Sequence, residues 1–438
     1  MAACLIFSAC TTVPPPPRPI AVTIAAGPIG EPGDDGRASE PTGTVSARSP
    51  SRSPASTTRG LWVVRSTLVH PDSVRAMVER AADAGFNTLL VQVRGRGDAY
   101  YSGGIEPRAD GLQDQPTFDP LALTVKEAHA RGLEVHAWMN VHLISSAATI
   151  SQDPNHLVHA RPELLAVPKQ LARELYDVDP GSTQFFQRLV AHALANQDNT
   201  EGLFSSPSAP EVKEQVYTVA TDLVERYEID GIHLDYIRYP SDEFDYSRGA
   251  LERFRAWIGG RITEEQRTEL TQASRRDPLA FVEALPLPWA DFRRSQITDL
   301  VERIYVGVKR RRPEVLVSVA VFPDAEESFR HRYQDWAGWL RSGIVDVVAP
   351  MAYNPDDGLF VEAISRAAEV GGPDRVWAGV GVYLTTYEGT LRKIDISQSL
   401  GVRGFLLFSY DWSVAYGAEA DGQPFLERVG RNFRALDR

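Results

Sequence analysis

From Arg59 onward, short β-branched and apolar runs alternate with stretches whose apolar residues recur every three or four positions. That alternation predicts parallel strands joined by crossover helices. Strand-like runs occupy residues 60–64, 88–93, 134–139, 231–236, 316–322, 345–351, 376–382 and 404–410. Between them, residues 73–84 place Val74, Met77, Val78 and Ala81 on one helical stripe and stop at Gly85; residues 121–130 repeat the pattern up to Gly132. Eight such βα units predict an α/β fold of the (β/α)8 TIM-barrel type. Two connections, about 141–209 after the third strand and 241–288 after the fourth, are too long for simple crossovers. They are expected as insertions on the C-terminal face, where barrel loops build active sites. The barrel domain is bounded at 59–425, with 426–438 left as a helix end and tail.

The first 58 residues break this pattern. Met1-Ala-Ala-Cys-Leu-Ile-Phe-Ser-Ala-Cys10 is short and apolar, with small residues before Cys10, and resembles the end of a bacterial lipoprotein signal. It has no basic leading region, so the true start is expected upstream of Met1. Lipidation is expected at Cys10. Residues 11–58 interleave Pro14 to Pro17, Pro19, Pro28, Pro32, Pro41, Pro50 and Pro54 with Ser, Thr, Gly and Ala. Such a segment buries too little apolar surface to fold and is expected as an extended tether. The expected location is the cell envelope, as a periplasm-facing lipoprotein, or secretion if Cys10 is unmodified.

Charge and cysteine usage remove several function classes. A net charge of -12 argues against a phosphate backbone as partner, so nucleic acid is not expected. Cys4 and Cys10 are the only cysteines, so the folded region has no disulfide, thiolate metal site or cysteine nucleophile. No Ser-centred elbow, P-loop or dinucleotide glycine motif occurs, and no cofactor is implied. His136, His142, His156 and His159 invite a metal hypothesis. Three of the four fall in or near a long irregular connection, unlike the rigid spacing that metal sites require.

The strand ends carry the candidate chemistry. Ile232-His233-Leu234-Asp235-Tyr236 ends an apolar strand in ionisable and aromatic groups, and alternation puts His233 and Asp235 on one face. Arg94, Asp98 and Tyr101 follow the second strand; His136, Trp138 and Asn140 share one face of the third. Later strands end at Asp324, Tyr353, Tyr383, Asp411 and Trp412. Carboxylates beside aromatic rings describe a carbohydrate cleft, in which rings stack on sugars and two carboxyl groups act on the glycosidic bond. Plainer alternatives stand beside these readings. Asp230 reads as a turn residue, His136 as a satisfied interior histidine and Trp138 as core. Arg94 can pair with Asp98 or Asp235, and Asp324 can cap the next helix.

Several passages, in order, resemble one family: Arg59-Gly60-Leu61-Trp62-Val63, Val91-Gln92-Val93-Arg94, Gly97-Asp98-Ala99-Tyr100-Tyr101-Ser102, Phe118-Asp119-Pro120-Leu121, the stretch from Glu127 to Asn140, Asp230 to Pro240, and Trp289-Ala290-Asp291-Phe292-Arg293-Arg294. The family is the bacterial glycosyl-hydrolase-like family ten. The resemblance implies a barrel glycoside hydrolase of the cell envelope, acting on peptidoglycan glycan strands stripped of stem peptides. Two departures stand out. Many relatives have Asp-Asp-Tyr where this chain has Leu234-Asp235-Tyr236, and Pro-Tyr-Arg where Val141-His142-Leu143 follows Asn140. The fourth strand also resembles that of chitinase-type barrels, but their catalytic Glu is replaced by Ile237.

The reading is hydrolysis of a β-linked glycan. Asp235 is expected as nucleophile or general base, with Asp324 or Asp411, or Asp98, as the acid. Arg94, His136, Asn140 and His233 are expected to orient substrate or tune Asp235. Trp138, Tyr353, Tyr383 and Trp412 are expected to stack on sugars, with Asp98 and Tyr101 as further contacts. The alternatives are a glycan-binding lipoprotein that does not hydrolyse, and a metal-dependent deacetylase.

Overall fold

The structure, a computed structural model, describes residues 57–197, 200–415 and 424–436. Cys10 and nearly all of the Pro-rich segment lie outside the described residues. Eight parallel strands form the central sheet: β1 (Thr58–Val63), β2 (Thr88–Arg94), β3 (Glu134–Asn140), β4 (Gly231–Asp235), β5 (Leu316–Val321), β6 (Val347–Pro350), β7 (Trp377–Gly381) and β8 (Gly404–Phe408). Their order is β6-β5-β4-β3-β2-β1-β8-β7, and a parallel bridge between Val348 and Val376 joins the two edges. The result is the nearly closed TIM barrel that the strand–helix alternation predicts.

Alternation along the strands creates two cores. Outward residues such as Leu61, Val63, Val91, Ile232 and Leu234 pack under the helices. Inward residues Trp62, Leu90, Trp138, Val347, Ala349, Trp377 and Leu406 fill the barrel itself. Those bulky rings need glycine neighbours. A Cβ on Gly404 would lie 2.3 Å from Trp377, and one on Gly231 would lie 2.1 Å from the His136 ring.

The helix Pro71–Asp83 starts with proline in its first turn and buries Val74, Met77, Val78 and Ala81, the stripe read from sequence. Pro120–His129 is capped by Asp119, which accepts from the Ala122 N–H. The chain end, read from sequence as a helix end and tail, holds a helix. Phe425–Leu436 packs on the barrel, with Phe433 5.3 Å from Phe86 and 5.4 Å from Phe405.

Both long connections leave C-terminal strand ends. The first holds two short antiparallel strands, Leu143–Ser145 and Leu203–Phe204, and the helices Leu157–Ala160, Lys169–Leu175 and Thr183–Ala195. The second holds the helices Arg248–Ile258, Glu264–Ser274 and Ala280–Ala284. They pack on each other: Ala172 from the first shares a cluster with Tyr246, Phe254, Trp289 and Phe292. The buried Asp245 carboxylate accepts from the Val167 and Ser247 backbone N–H groups at 2.9 and 2.8 Å, which ties the two connections together.

Candidate active site

Register sets depth inside the barrel. His136 is level with Gly231, Trp138 with His233, and Asn140 with Asp235. At roughly 3.3 Å per residue, His136 lies about 13 Å below the level of Asn140. Only the top layer of this shared face reaches the strand ends.

Asp235 occupies that layer and is 8% exposed. Its Oδ1 accepts from the Tyr236 backbone N–H at 2.7 Å, and its Oδ2 from the Trp138 indole N–H at 3.2 Å. Burial pushes the Asp235 carboxyl up to about 6, against the opposing pull of Arg238 and these two hydrogen bonds. The strand stops immediately afterwards. Tyr236 has φ of 52°, a left-handed conformation uncommon for a residue with a side chain, and it turns the chain away from the barrel.

A second carboxylate stands nearby that sequence reading missed. Glu201 accepts from the Arg238 guanidinium at 2.7 Å, and its side chain is 41% exposed. Arg238 is buried, with its guanidinium 4.7 Å from the Tyr236 ring centre and 5.0 Å from that of Phe322. Glu201 also acts electrostatically on Asp235, raising its pKa. Nothing in the local sequence marks Glu201, which lies in the irregular first connection and far along the chain from β4.

A path of aromatic rings leads outward from Asp235. Trp138, its hydrogen-bond donor, lies 6.4 Å from Phe408, which stacks on Tyr353 at 5.5 Å. Tyr353 meets Tyr383 at 6.2 Å, and Tyr383 stacks on Trp412 at 5.7 Å with 25° between the rings. Tyr383 and Trp412 are 36% and 49% exposed. Trp138 itself is buried, so it faces Asp235 from within the barrel instead of offering an open ring face. Phe408 joins the path although the sequence reading passed over it. A cavity of about 280 Å³ adjoins Tyr353, lined also by Asp324, Asn354, Glu362 and Arg366.

Several residues read as catalytic or substrate-binding have other partners. Asp324 caps the short helix Ala325–Glu327, accepting from Glu326 and Glu327 N–H groups at 2.9 and 2.8 Å. Asp411 accepts from the Val64 N–H at 3.0 Å and the Thr67 hydroxyl at 2.5 Å, joining the ends of β8 and β1. Asp98 accepts from the Gly95 and Arg96 N–H groups at 3.2 and 2.7 Å and shapes the loop after β2. Asp324 and Asp98 thus serve a local cap and turn, and Asp411 bridges two strand ends.

The remaining polar residues of the same faces are buried. Arg94 forms a bidentate pair with Glu106 at 2.6 and 2.7 Å and donates to the carbonyls of Asn140 and Val141. Asn140 donates to the Gly95 carbonyl at 2.9 Å. Tyr101 is buried against Tyr227. His233 Nε2 accepts from the Trp62 indole at 3.0 Å while its Nδ1 faces the Ser318 hydroxyl at 2.9 Å. Burial, then His136, pushes His233 down to about 3, so it is a neutral strut of the barrel. His136 packs edge-on against Trp377 at 5.5 Å, deep below the cleft. Arg94, Tyr101, His136 and His233, read from sequence as substrate-binding, are thus all buried among groups of the barrel and its loops.

A family profile described as glycosyl hydrolase-like 10 matches residues 57–387. The glycosyl hydrolase DigH of Escherichia coli O6:H1 is 23% identical over 362 residues, covering 73% of this chain and 72% of the relative. The glycosyl hydrolase YngK of Bacillus subtilis is 24% identical over 292 residues, covering 61% of this chain and 46% of the relative. The glycoside hydrolase domain of PgaB from Bordetella bronchiseptica superposes with a TM-score of 0.54 at 15% identity, covering 80% of this chain and 94% of that domain.

Proposed function

Because the chain belongs to the glycosyl hydrolase-like 10 family, and is on that ground a glycoside hydrolase, we propose that it cleaves peptidoglycan glycan strands lacking stem peptides, with Asp235 as the general acid. The observation that carries this reading is Asp235 itself: a buried carboxyl at a barrel strand end, raised to about 6, at the inner end of an aromatic path that opens at Trp412. A carboxyl whose pKa is raised toward the neutral range is suited to protonate a leaving glycosidic oxygen. On this reading Asp235 is the acid, in place of the nucleophile or base expected from sequence.

Glu201, salt-bridged to Arg238, takes the opposite role. As Asp235 passes its proton to the departing oxygen, the C1–O bond breaks. Glu201 supports the positive charge developing at the sugar, as nucleophile or by activating water. Trp138 steadies the carboxylate that Asp235 becomes, and Tyr353, Tyr383 and Trp412 hold successive sugars by their ring faces. The envelope substrate is supported by the family resemblance and by the lipoprotein-like N-terminus, with Cys10 as the proposed lipid attachment and the Pro-rich segment as its tether to a membrane.

The test is release of new reducing ends from purified peptidoglycan with and without its stem peptides. Wild type should act on the stripped strands, and Asp235→Asn should not. Binding of stripped strands by wild type without new reducing ends would instead mark a glycan-binding protein.

A further inference from the structure

Arg96 stands out among the arginines near the cleft. Its Nε and Nη1 are buried without a hydrogen-bond partner, and among the described residues it has no ion pair with a carboxylate. Buried guanidinium nitrogens without a hydrogen-bond partner are costly, and such groups normally find an acceptor. Its backbone, by contrast, is fully engaged. Asp98 accepts from the Gly95 and Arg96 N–H groups, Asn140 donates to the Gly95 carbonyl, and the His156 ring lies 2.7 Å from the Arg96 carbonyl. Gly97, with φ of 72°, completes a turn that a side chain would strain. The loop is thus fixed while the charge that it presents is unsatisfied.

The surroundings add positive charge. Arg65 crosses the same loop, its Cδ lying 2.3 Å from where a Cβ on Gly95 would stand, and its guanidinium meets the neutral Gln92 side chain, at 3.1 Å, and the Tyr100 hydroxyl. Burial first and Arg65 second hold the Arg96 pKa below its ordinary value; Tyr236, Asp98 and Glu201 act in the opposite direction. Of these, Asp98 is engaged by backbone N–H groups and Glu201 by Arg238. Asn140, which bonds the loop at Gly95, is level with Asp235, so the loop borders the same strand-end opening.

We infer that Arg96, assisted by Arg65, forms an anion subsite beside Asp235 that binds a carboxylate carried by a sugar of the substrate. The ligand class is an acidic glycan, one whose repeating unit bears a carboxylic acid, and a planar guanidinium matches a carboxylate through two parallel hydrogen bonds. The inference rests on the glycan-strand reading above and deepens it. Removal of stem peptides leaves free carboxylates on the strand, and an intact peptide would occupy them as amides.

The experiment compares two probes: oligosaccharides from stripped glycan strands, and the same oligosaccharides with their carboxylates reduced to alcohols. Calorimetric binding to the full Asp235→Asn chain should favour the carboxylate form by at least about 10-fold. Adding Arg96→Met should bring the ratio near one, and Arg96→Lys should restore part of it, with the thermal midpoint confirming that both variants fold. Equal binding of the two probes by the Arg96-containing chain overturns the subsite, as does a preference that survives Arg96→Met. Carboxylate-dependent binding with no hydrolysis by wild type would overturn the hydrolytic reading and leave the subsite standing. Hydrolysis without carboxylate discrimination would do the reverse. Failure to bind either probe overturns the subsite whether or not hydrolysis occurs.

Discussion

The Trp138 indole N–H donates to Asp235 Oδ2 at 3.2 Å across the β3–β4 pair, one layer below the carboxyl group that it meets. A residue of the barrel interior thereby contributes to the electrostatics of the cleft. The bond favours the charged form of Asp235, while burial favours the neutral one and is the larger effect.

Asp235→Asn keeps nearly the same shape and removes the titratable proton. It should fold as wild type and lower kcat by about 100-fold or more, the scale of a missing general acid. Reducing-end assays on stripped glycan strands check this. Near-wild-type turnover would remove Asp235 from the mechanism.

Acting as an acid, Asp235 is competent below its pKa, so kcat/KM should fall as pH rises through about 6. Trp138→Phe removes a hydrogen bond that stabilises the carboxylate, so this limb should move to higher pH. A limb of opposite direction, with activity lost on acidification through about 6, would return Asp235 to the nucleophile or base role.

The same shift has a stability consequence. The folded pKa of Asp235, about 6, lies above the ordinary carboxylate value, so folded protein holds a proton that the unfolded chain has released. That contribution is fully present below about pH 4 and is lost as pH rises through about 6, with a size of at most about 3 kcal/mol. Urea unfolding at acidic and neutral pH should show a smaller loss for Asp235→Asn than for wild type.

Glu201→Gln removes a negative charge that raises the Asp235 pKa. Activity should fall by at least about 10-fold if Glu201 is the second carboxylate, and the remaining activity should show its alkaline limb displaced to lower pH. Asp324→Asn should leave the pH profile in place, because that carboxylate caps a helix.

His233→Phe should act on stability. It strips the Trp62 indole and the Ser318 hydroxyl of a buried partner, at a cost of about 2–4 kcal/mol. Urea titration should find the midpoint lowered, with activity per folded molecule reduced far less than in Asp235→Asn.

Much of the barrel was legible because it depends on local pattern. Strand alternation separated Ile232 and Leu234 from His233 and Asp235, and the stripe of Val74, Met77, Val78 and Ala81 marked a helix face. The same reasoning overreached at β3, where His136, Trp138 and Asn140 share a face but differ in depth. Spacing of two residues gives the side of a strand; how far a side chain lies from the opening depends on where the strand ends relative to its neighbours.

Sequence by itself determined the parallel barrel, the two long connections and Asp235 at a strand end, since each follows from periodicity, length or position along one segment. Tertiary structure alone decided which partners each carboxylate has. Asp324 and Asp98 are held by a local cap and turn, whereas Asp411 is held by Val64 and Thr67 from the other end of the barrel sequence, and Glu201 pairs with Arg238, 37 positions farther along the chain. A hydrogen-bond partner supplied by a distant segment leaves no periodic trace. Desolvation, which gives Asp235 its raised pKa, likewise arises only when the barrel closes around it.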